Sequence, residues 1–228
     1  MGSFIKRQFR KFERTLTEKL GRDISTPQAR RRAMWHFNLI DHAFLRTFWW
    51  NLEEIAPDVW RSNQPSPKRV AHYHSMGIRS IINLRGSSYQ SPYLLEQDAC
   101  ATHGIAMHDV EMSARKLVAR AVLQKLLATM RSVERPFLMH CKSGSDRAGF
   151  ASVLYLAILE GRPLAEARKH LHWKYLHLST TDTGILDFVL DTYEAETQDS
   201  GMDLETWINT CYDPEAITAA WKAKRGEA

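Results

Sequence analysis

The stretch 136–160 constrains this chain more than any other. Residues 136–140 (PFLMH) are apolar up to the closing histidine, the profile of a strand buried on both faces. They run straight into Cys141-Lys142-Ser143-Gly144-Ser145-Asp146-Arg147, and from 148 to about 160 the pattern turns helical. A buried strand feeding a short Gly-containing loop and then a helix is a βα step of a parallel sheet. The flanking sequence repeats the alternation. Residues 78–84 (IRSIINL) and 105–111 read as further strands, with helices at 68–76, at 92–103 capped by Gly104, and at 115–133. Helical patterns at 163–175, 184–196, 203–211 and 214–224 complete the C-terminal third. The expected fold class is α/β: a central, mostly parallel sheet of four to five strands flanked by helices, with right-handed crossovers and an N-terminal helical extension.

That extension is set apart by charge. Residues 1–32 hold ten Lys and Arg against Glu13, Glu18 and Asp23, a surplus of seven, whereas the whole chain carries only +5. Phe4, Ile5, Phe9, Phe12, Leu16 and Leu20 recur at helical steps within it, giving an apolar stripe opposite a basic face. Such an arm either docks on the body or touches an anionic membrane surface. No nucleic-acid-binding motif accompanies it, so nucleic acid is not an expected partner. Thr26-Pro27 reads as an N-cap and first helical residue of a helix reaching about residue 51, and Asn63-Gln64-Pro65-Ser66-Pro67 is a turn cluster. The domain division expected is a basic helical extension over 1–55 and the main domain over 56–228.

No run of about 18 apolar residues is present, and the N-terminus lacks the apolar core of a secretory signal. Cys100, Cys141 and Cys211 are odd in number and widely spaced, which suits free thiols in a reducing compartment. The expectation is a cytoplasmic protein, peripheral at a membrane if the arm engages one. His72/His74 and His170/His172 lack cysteine or carboxylate partners at ligand spacing, so no metal and no cofactor is expected. Lys169, His170, His172 and Lys174 read as a solvated cationic helix face.

The chemistry concentrates in the loop after residue 140. Backbone N–H groups of a loop at a helix N-terminus can converge on an anion. Gly144 permits the tight backbone this needs. Cys141, at that N-terminus with Lys142 and Arg147 nearby, is expected as a thiolate nucleophile. Arg147 offers a bidentate grip on two phosphate oxygens. Lys142, Ser143, Gly144, Ser145, Asp146 and Arg147 thus make a candidate phosphate-binding loop.

His140-Cys141 and Arg147 form an HC-x5-R pattern, and the segment resembles the loop of cysteine-dependent phosphatases. Its strand–helix setting resembles the dual-specificity branch, above all the compact atypical enzymes of plants and fungi and related bacterial proteins. The resemblance runs roughly over 59–190 and includes Trp60-Arg61-Ser62 and Ile82-Asn83-Leu84-Arg85. It implies that Cys141 attacks phosphorus to form a phosphocysteine, that Arg147 binds the phosphoryl oxygens, and that water completes hydrolysis without a metal. His140 would order the loop and help hold the thiolate. The family usually has Ser or Thr after the arginine to assist the leaving thiolate, where this chain has Ala148. That departure keeps a second reading open, a catalytically weak phosphate-binding pseudophosphatase or scaffold.

The general acid is left among three carboxylates. Asp109 and Glu111 lie 32 and 30 residues before Cys141, where the family carries its acid, and share a face if 105–111 is one strand. Asp146 sits directly before the arginine, as in myotubularin-like and Sac-type phosphoinositide phosphatases. Arg85, at a strand end, is a candidate for substrate contact or a salt bridge. Arg115 and Lys116, at the start of an expected helix where cations are unfavourable, hint at an anionic ligand. Lys142 also occurs in phosphoinositide and phospholipid phosphatases and in enzymes acting on inositol pyrophosphates. The expected substrate is a phosphorylated protein, or an anionic phospholipid or inositol phosphate.

Overall fold

The structure is a computed structural model that describes residues 20–226. The apolar stripe of the arm up to Leu16 lies outside the described residues. Five strands form one sheet: β1 (Glu53–Ala56), β2 (Val59–Asn63), β3 (Ser80–Asn83), β4 (Ala106–Asp109) and β5 (Phe137–Cys141). Their spatial order is β1-β2-β5-β3-β4, with β1 antiparallel and the other pairings parallel. The helices are α1 (Pro27–Leu39), α2 (Pro67–Ser75), α3 (Ser91–His103), α4 (Arg120–Ser132), α5 (Asp146–Leu154), α6 (Leu164–Ala167), α7 (Ile185–Thr197), α8 (Leu204–Thr210) and α9 (Pro214–Lys224). The expected α/β sheet is the observed one, and helices cover both of its faces.

Alternation along the strands divides the core in two. Phe137, Met139 and Ile82 point into a large cluster with α4, α5, α7 and α8, while Leu138 and Ile81 point into a smaller one with Val70, Tyr73 and Cys100. A third cluster joins α1 to α3 through Ala33, Phe37 and Leu95. An Arg30–Asp98 ion pair and a 2.7 Å hydrogen bond between His36 Nδ1 and Ser91 Oγ run beside it.

Several boundaries differ from expectation. The hairpin β1–β2 has no counterpart among the expected elements: Pro57-Asp58 is its two-residue turn, with Asp58 at φ +63°. Its four- and five-residue strands are too short to show a clear alternation. The boundary expected between residues 55 and 56 falls inside β1. The helix opened by Pro27 stops at Leu39 and is followed by a 3-10 turn, Ala43–Thr47. The stretch 163–175 breaks into short turns, and the His170 carbonyl accepts from Arg61 Nη1 at 2.9 Å. His170 is therefore half-buried beside Arg61, not part of a solvated helix face. Helix α4 begins at Arg120, so Arg115 and Lys116 lie in the loop before it.

Register places the site. Asn63 pairs with Cys141, and Asn83 with both His140 and Asp109, so the carboxyl ends of four parallel strands share one edge. Ligands of open α/β sheets bind at that edge.

Candidate active site

Cys141 ends β5 and is buried, and the chain then curls through Lys142–Ser145 into α5. The carbonyls of this curl are all tied back into the protein. Lys142 O accepts from Gln64 N at 3.3 Å, and Ser143 O from Asn51 Nδ2 at 3.0 Å. Gly144 O and Ser145 O accept from Arg61 Nη2 at 2.5 and 3.3 Å. Within a trans peptide the carbonyl and the following N–H point opposite ways. The N–H groups of Ser143, Gly144, Ser145 and Asp146 therefore face the other side, where none donates to a protein acceptor among the described residues. Four parallel donors at a helix N-terminus make an anion cradle.

Gly144 is indispensable to that shape. Its φ is +71°, and a Cβ there would meet Asn63 N at 2.7 Å and the Ser62 carbonyl carbon at 2.8 Å. Behind the loop, Arg61 is fully buried and stacks 3.8 Å over the Tyr175 ring. Burial pulls its pKa down to about 10, partly offset by Tyr175 and Cys141. It remains a cation pointed at carbonyl oxygens, the role that makes the Trp60-Arg61-Ser62 match meaningful. Asn51, at φ +48°, clamps the loop from the N-terminal side; it also donates to Tyr175 O at 3.1 Å and accepts from Trp49 Nε1 at 2.8 Å.

Arg147 lies at the other end of the curl. Its Nη1 makes two long contacts, 3.5 Å each, to the Leu84 and Met112 carbonyls, and its Nε is buried without a partner. The guanidinium is thus oriented but not consumed. His140 is fully buried; its Nε2 lies 2.7 Å from Glu96 Oε1, close but off the angle of a hydrogen bond. Gln64 Nε2 donates to the other Glu96 oxygen, and Gln64 Oε1 accepts from Arg85 Nη1 at 2.8 Å. His140 thereby joins the loop's base to a buried polar network.

A cleft of about 620 Å³ opens over the loop, lined by Lys142, Ser143, Asp146, Arg147, Arg46, Arg85, Glu111 and Arg115 among others. Three of its cations converge on one buried carboxylate, Asp41. Arg46 Nη2 is 2.5 Å from it, Arg85 Nη2 3.1 Å and Lys142 Nζ 3.2 Å. Burial pushes the Asp41 carboxyl up, but Arg85, Arg46 and Lys142 outweigh that and hold it below its ordinary range. Of the two roles open to Arg85, the structure shows the ion pair, with Asp41, and the side chain also lines the cleft.

The three candidate acids part company. Asp109 ends β4 with its carboxylate held by Asn83 Nδ2 at 2.8 Å and Tyr93 OH at 2.7 Å, and it does not line the cleft. The strand ends there, two residues before Glu111. Glu111 is exposed on the cleft wall. Asp146 lines the cleft as the first residue of α5, its Oδ1 hydrogen-bonded to His177 Nδ1 at 2.8 Å. Asp41, Arg46, Asn51 and His177 carried no signal that reading the sequence could use, since each gains its role only from partners distant in the chain.

The profile of the PTP-SAK family (Swiss Army Knife protein, DSP-PTPase phosphatase domain) matches residues 59–185, more than half of the chain. The chain belongs to this family. The match of this PTP-SAK domain begins at β2 and includes the whole loop and α5. A curated relative, the dual specificity protein phosphatase TpbA of Pseudomonas aeruginosa (strain UCBPP-PA14), is 28% identical over 116 residues, 49% of this chain and 48% of its own length. The chain thus spans about half the length of that relative. Among solved structures, a mutant form of Tk-PTP superposes with a TM-score of 0.51 at 18% identity, over 64% of this chain and 96% of its own. The core catalytic domain of the PP-IP phosphatase SIW14 from S. cerevisiae, in complex with citrate, gives 0.50 at 18% identity, over 65% and 93%. Those two likenesses establish that the PTP-SAK domain shares their fold.

Proposed function

We propose that this chain is a phosphomonoester hydrolase acting without a metal through a phosphocysteine on Cys141. The observation that carries this reading is the set of four amide N–H groups between Cys141 and Arg147 that have no protein acceptor among the described residues. In this scheme the Cys141 sulfur attacks phosphorus while the amides and Arg147 hold the phosphoryl oxygens, and charge building on those oxygens is met by donors already in place. Of the three carboxylates, Glu111 and Asp146 are the two on the cleft wall, which favours them over Asp109 for proton transfer. His140 and Arg85 support the loop and the rim.

The substrate reading follows from charge. Arg46, Arg85, Arg115, Lys142 and Arg147 line the cleft against Glu111, Asp146 and the buried Asp41 that three of them share, which still leaves a positive surplus. That surplus suits a substrate bearing more than one anionic group, such as a phosphoinositide or other inositol phosphate, ahead of a lone phosphotyrosine. Beside the cleft, the 3-10 turn presents Phe44, Leu45 and Phe48 to solvent, Phe48 at 90% exposure. Together with basic residues 1–32 these support a cytoplasmic enzyme peripheral at an anionic membrane. No described helix is long and apolar enough to cross one. Deleting residues 1–25 should abolish binding to anionic liposomes while hydrolysis of a soluble phosphate persists; unchanged liposome binding removes the membrane proposal.

The deciding experiment measures phosphate release by wild type and Cys141→Ser with a chelator present. The panel is an aryl phosphate, a phosphotyrosine peptide, phosphoinositides and a pyrophosphorylated inositol. Activity lost in the variant supports the cysteine mechanism, and the preferred compound names the substrate class. Ala148, buried where the family usually has a hydroxyl, motivates the second reading of a phosphate-binding scaffold. Silence across the panel with no trapped phosphocysteine would favour it; silence with the adduct present would mean slow breakdown.

A further inference from the structure

His177 sits on the loop before α7 with its side chain 1% exposed. Its Nδ1 is 2.8 Å from Asp146 Oδ1 and its Nε2 is 2.7 Å from Asp187 Oδ2 on α7. A neutral imidazole has one N–H and can donate to only one of two carboxylates, leaving a lone pair against the other. A carboxylate at each nitrogen therefore calls for the imidazolium. Burial pulls the pKa of His177 down, but the hydrogen bonds to Asp146 and Asp187, and their charges, push it up to about 9. Two further cations bear on this bracket: Arg61 from β2 acts on Asp146, and Arg168 acts on Asp187.

The consequence falls on Asp146. Its Oδ1 is occupied by the imidazolium, while Oδ2 has no partner among the described residues and the side chain lines the cleft next to Ser143 and Arg147. We propose that His177 and Asp187 are positioning residues that fix the Asp146 side chain toward the cleft, so that its Oδ2 is the base for the water that hydrolyses the phosphocysteine. This rests on Cys141 being the nucleophile. In the step, a water oxygen–phosphorus bond forms as the sulfur–phosphorus bond breaks. The electron pair returns to Cys141 as thiolate, and the water proton passes to Asp146 Oδ2, which gives it to solvent. With Ala148 offering no hydroxyl to the departing thiolate, the attacking side of this step carries more of its catalysis.

The test separates the two chemical steps by stopped flow with p-nitrophenyl phosphate on the full chain. The nitrophenolate burst reports attack by Cys141, and the steady state reports phosphocysteine breakdown. His177→Gln and Asp187→Asn should keep the burst rate within about threefold, lower the steady-state rate at least about tenfold, and accumulate the phosphocysteine seen by intact-mass measurement. Asp187→Glu should restore most of the turnover. The wild-type steady-state rate should fall as pH rises through about 9, where His177 loses its proton. That limb should move to lower pH in Asp187→Asn, which removes one of the two anions. Burst and steady state falling together, or neither changing, overturns the proposal. If Asp146→Asn leaves both phases intact while Cys141→Ser abolishes the burst, the base is not Asp146 but the phosphocysteine reading stands. A burst that survives in Cys141→Ser removes that reading itself. Should His177→Gln fail to fold, Asp187→Asn and Asp187→Glu decide the matter.

Discussion

At the scale of single residues, the loop depends on one glycine and one arginine. Gly144→Ala meets two obstacles together, a left-handed φ and a Cβ inside contact distance of Asn63 N. We expect about 1–3 kcal/mol of lost stability and about a hundredfold loss of phosphate-ester hydrolysis as cradle donors turn away. Urea denaturation and kcat/KM measure the two effects separately. Arg61→Met removes the donor to Gly144 O and leaves that carbonyl buried, while Ser145 O keeps its bond from Gly149 N at 2.8 Å. An orphaned carbonyl costs about 1–3 kcal/mol, so a marked fall in the urea midpoint should accompany the loss of activity. Arg61→Lys should not restore either, because a single ammonium cannot reach the loop carbonyls and His170 O together. A wild-type-like lysine variant would show that charge alone, not the fork, holds the loop.

Among elements, α1 and the turn after it act as a strap. The helix seats Ala33 and Phe37 against Leu95, and the chain leaving it brings Asp41 to Arg85 and Lys142 on the main sheet's edge. Phe37 also lies 5.4 Å beneath the Arg46 guanidinium. Phe37→Ala should therefore cost about 3–5 kcal/mol and loosen the cation cluster at the cleft. The expected sign is a weaker inhibition by inorganic phosphate alongside a lower unfolding midpoint. Destabilisation with phosphate inhibition unchanged would mean that the strap is structural only. At this scale the reading of the sequence was right about helices with strong punctuation and wrong where tertiary contacts overrode them. Thr26-Pro27 opens α1 and Gly104, at φ +66°, ends α3 as expected, while α2 opens at Pro67, inside the expected turn cluster. The stretch 163–175 has a helical pattern too, yet its α-helix ends at Ala167 and short 3-10 turns follow, one of them tied by its His170 carbonyl to Arg61.

For the whole molecule, two histidines give stability a pH dependence of opposite sign. His177 has a folded pKa of about 9 against 6.5 unfolded, so its contribution is complete below about pH 6.5 and is lost as pH rises through about 9. His170 runs the other way. Burial and then Arg61 pull its pKa to about 4, so the unfolded chain binds the extra proton between those values and stability falls as pH drops from 6.5 toward 4. Urea titrations across pH should show a dome, with its alkaline side flattened in His177→Gln and its acid side flattened in His170→Gln. A His177→Gln curve that still falls between pH 7 and 9 would assign the alkaline loss to another group.

The βα junction, the α/β class, and the cysteine, arginine and glycine of the loop are written in the chain itself. These are legible because their causes are local: an apolar run, a turn residue, a helix start and the cysteine lie within a dozen consecutive positions. Which carboxylates face the cleft is settled only by folding. Asp109 is drawn aside by Tyr93 and Asn83, while Asp146 is held by His177, 31 positions away. Folding also settles how the loop is held, through Asn51 and Arg61, 92 and 83 positions from the carbonyls they bind. A side chain's orientation is set by whichever partner best satisfies its hydrogen bonds in the folded state, and those partners become neighbours only when the sheet has assembled.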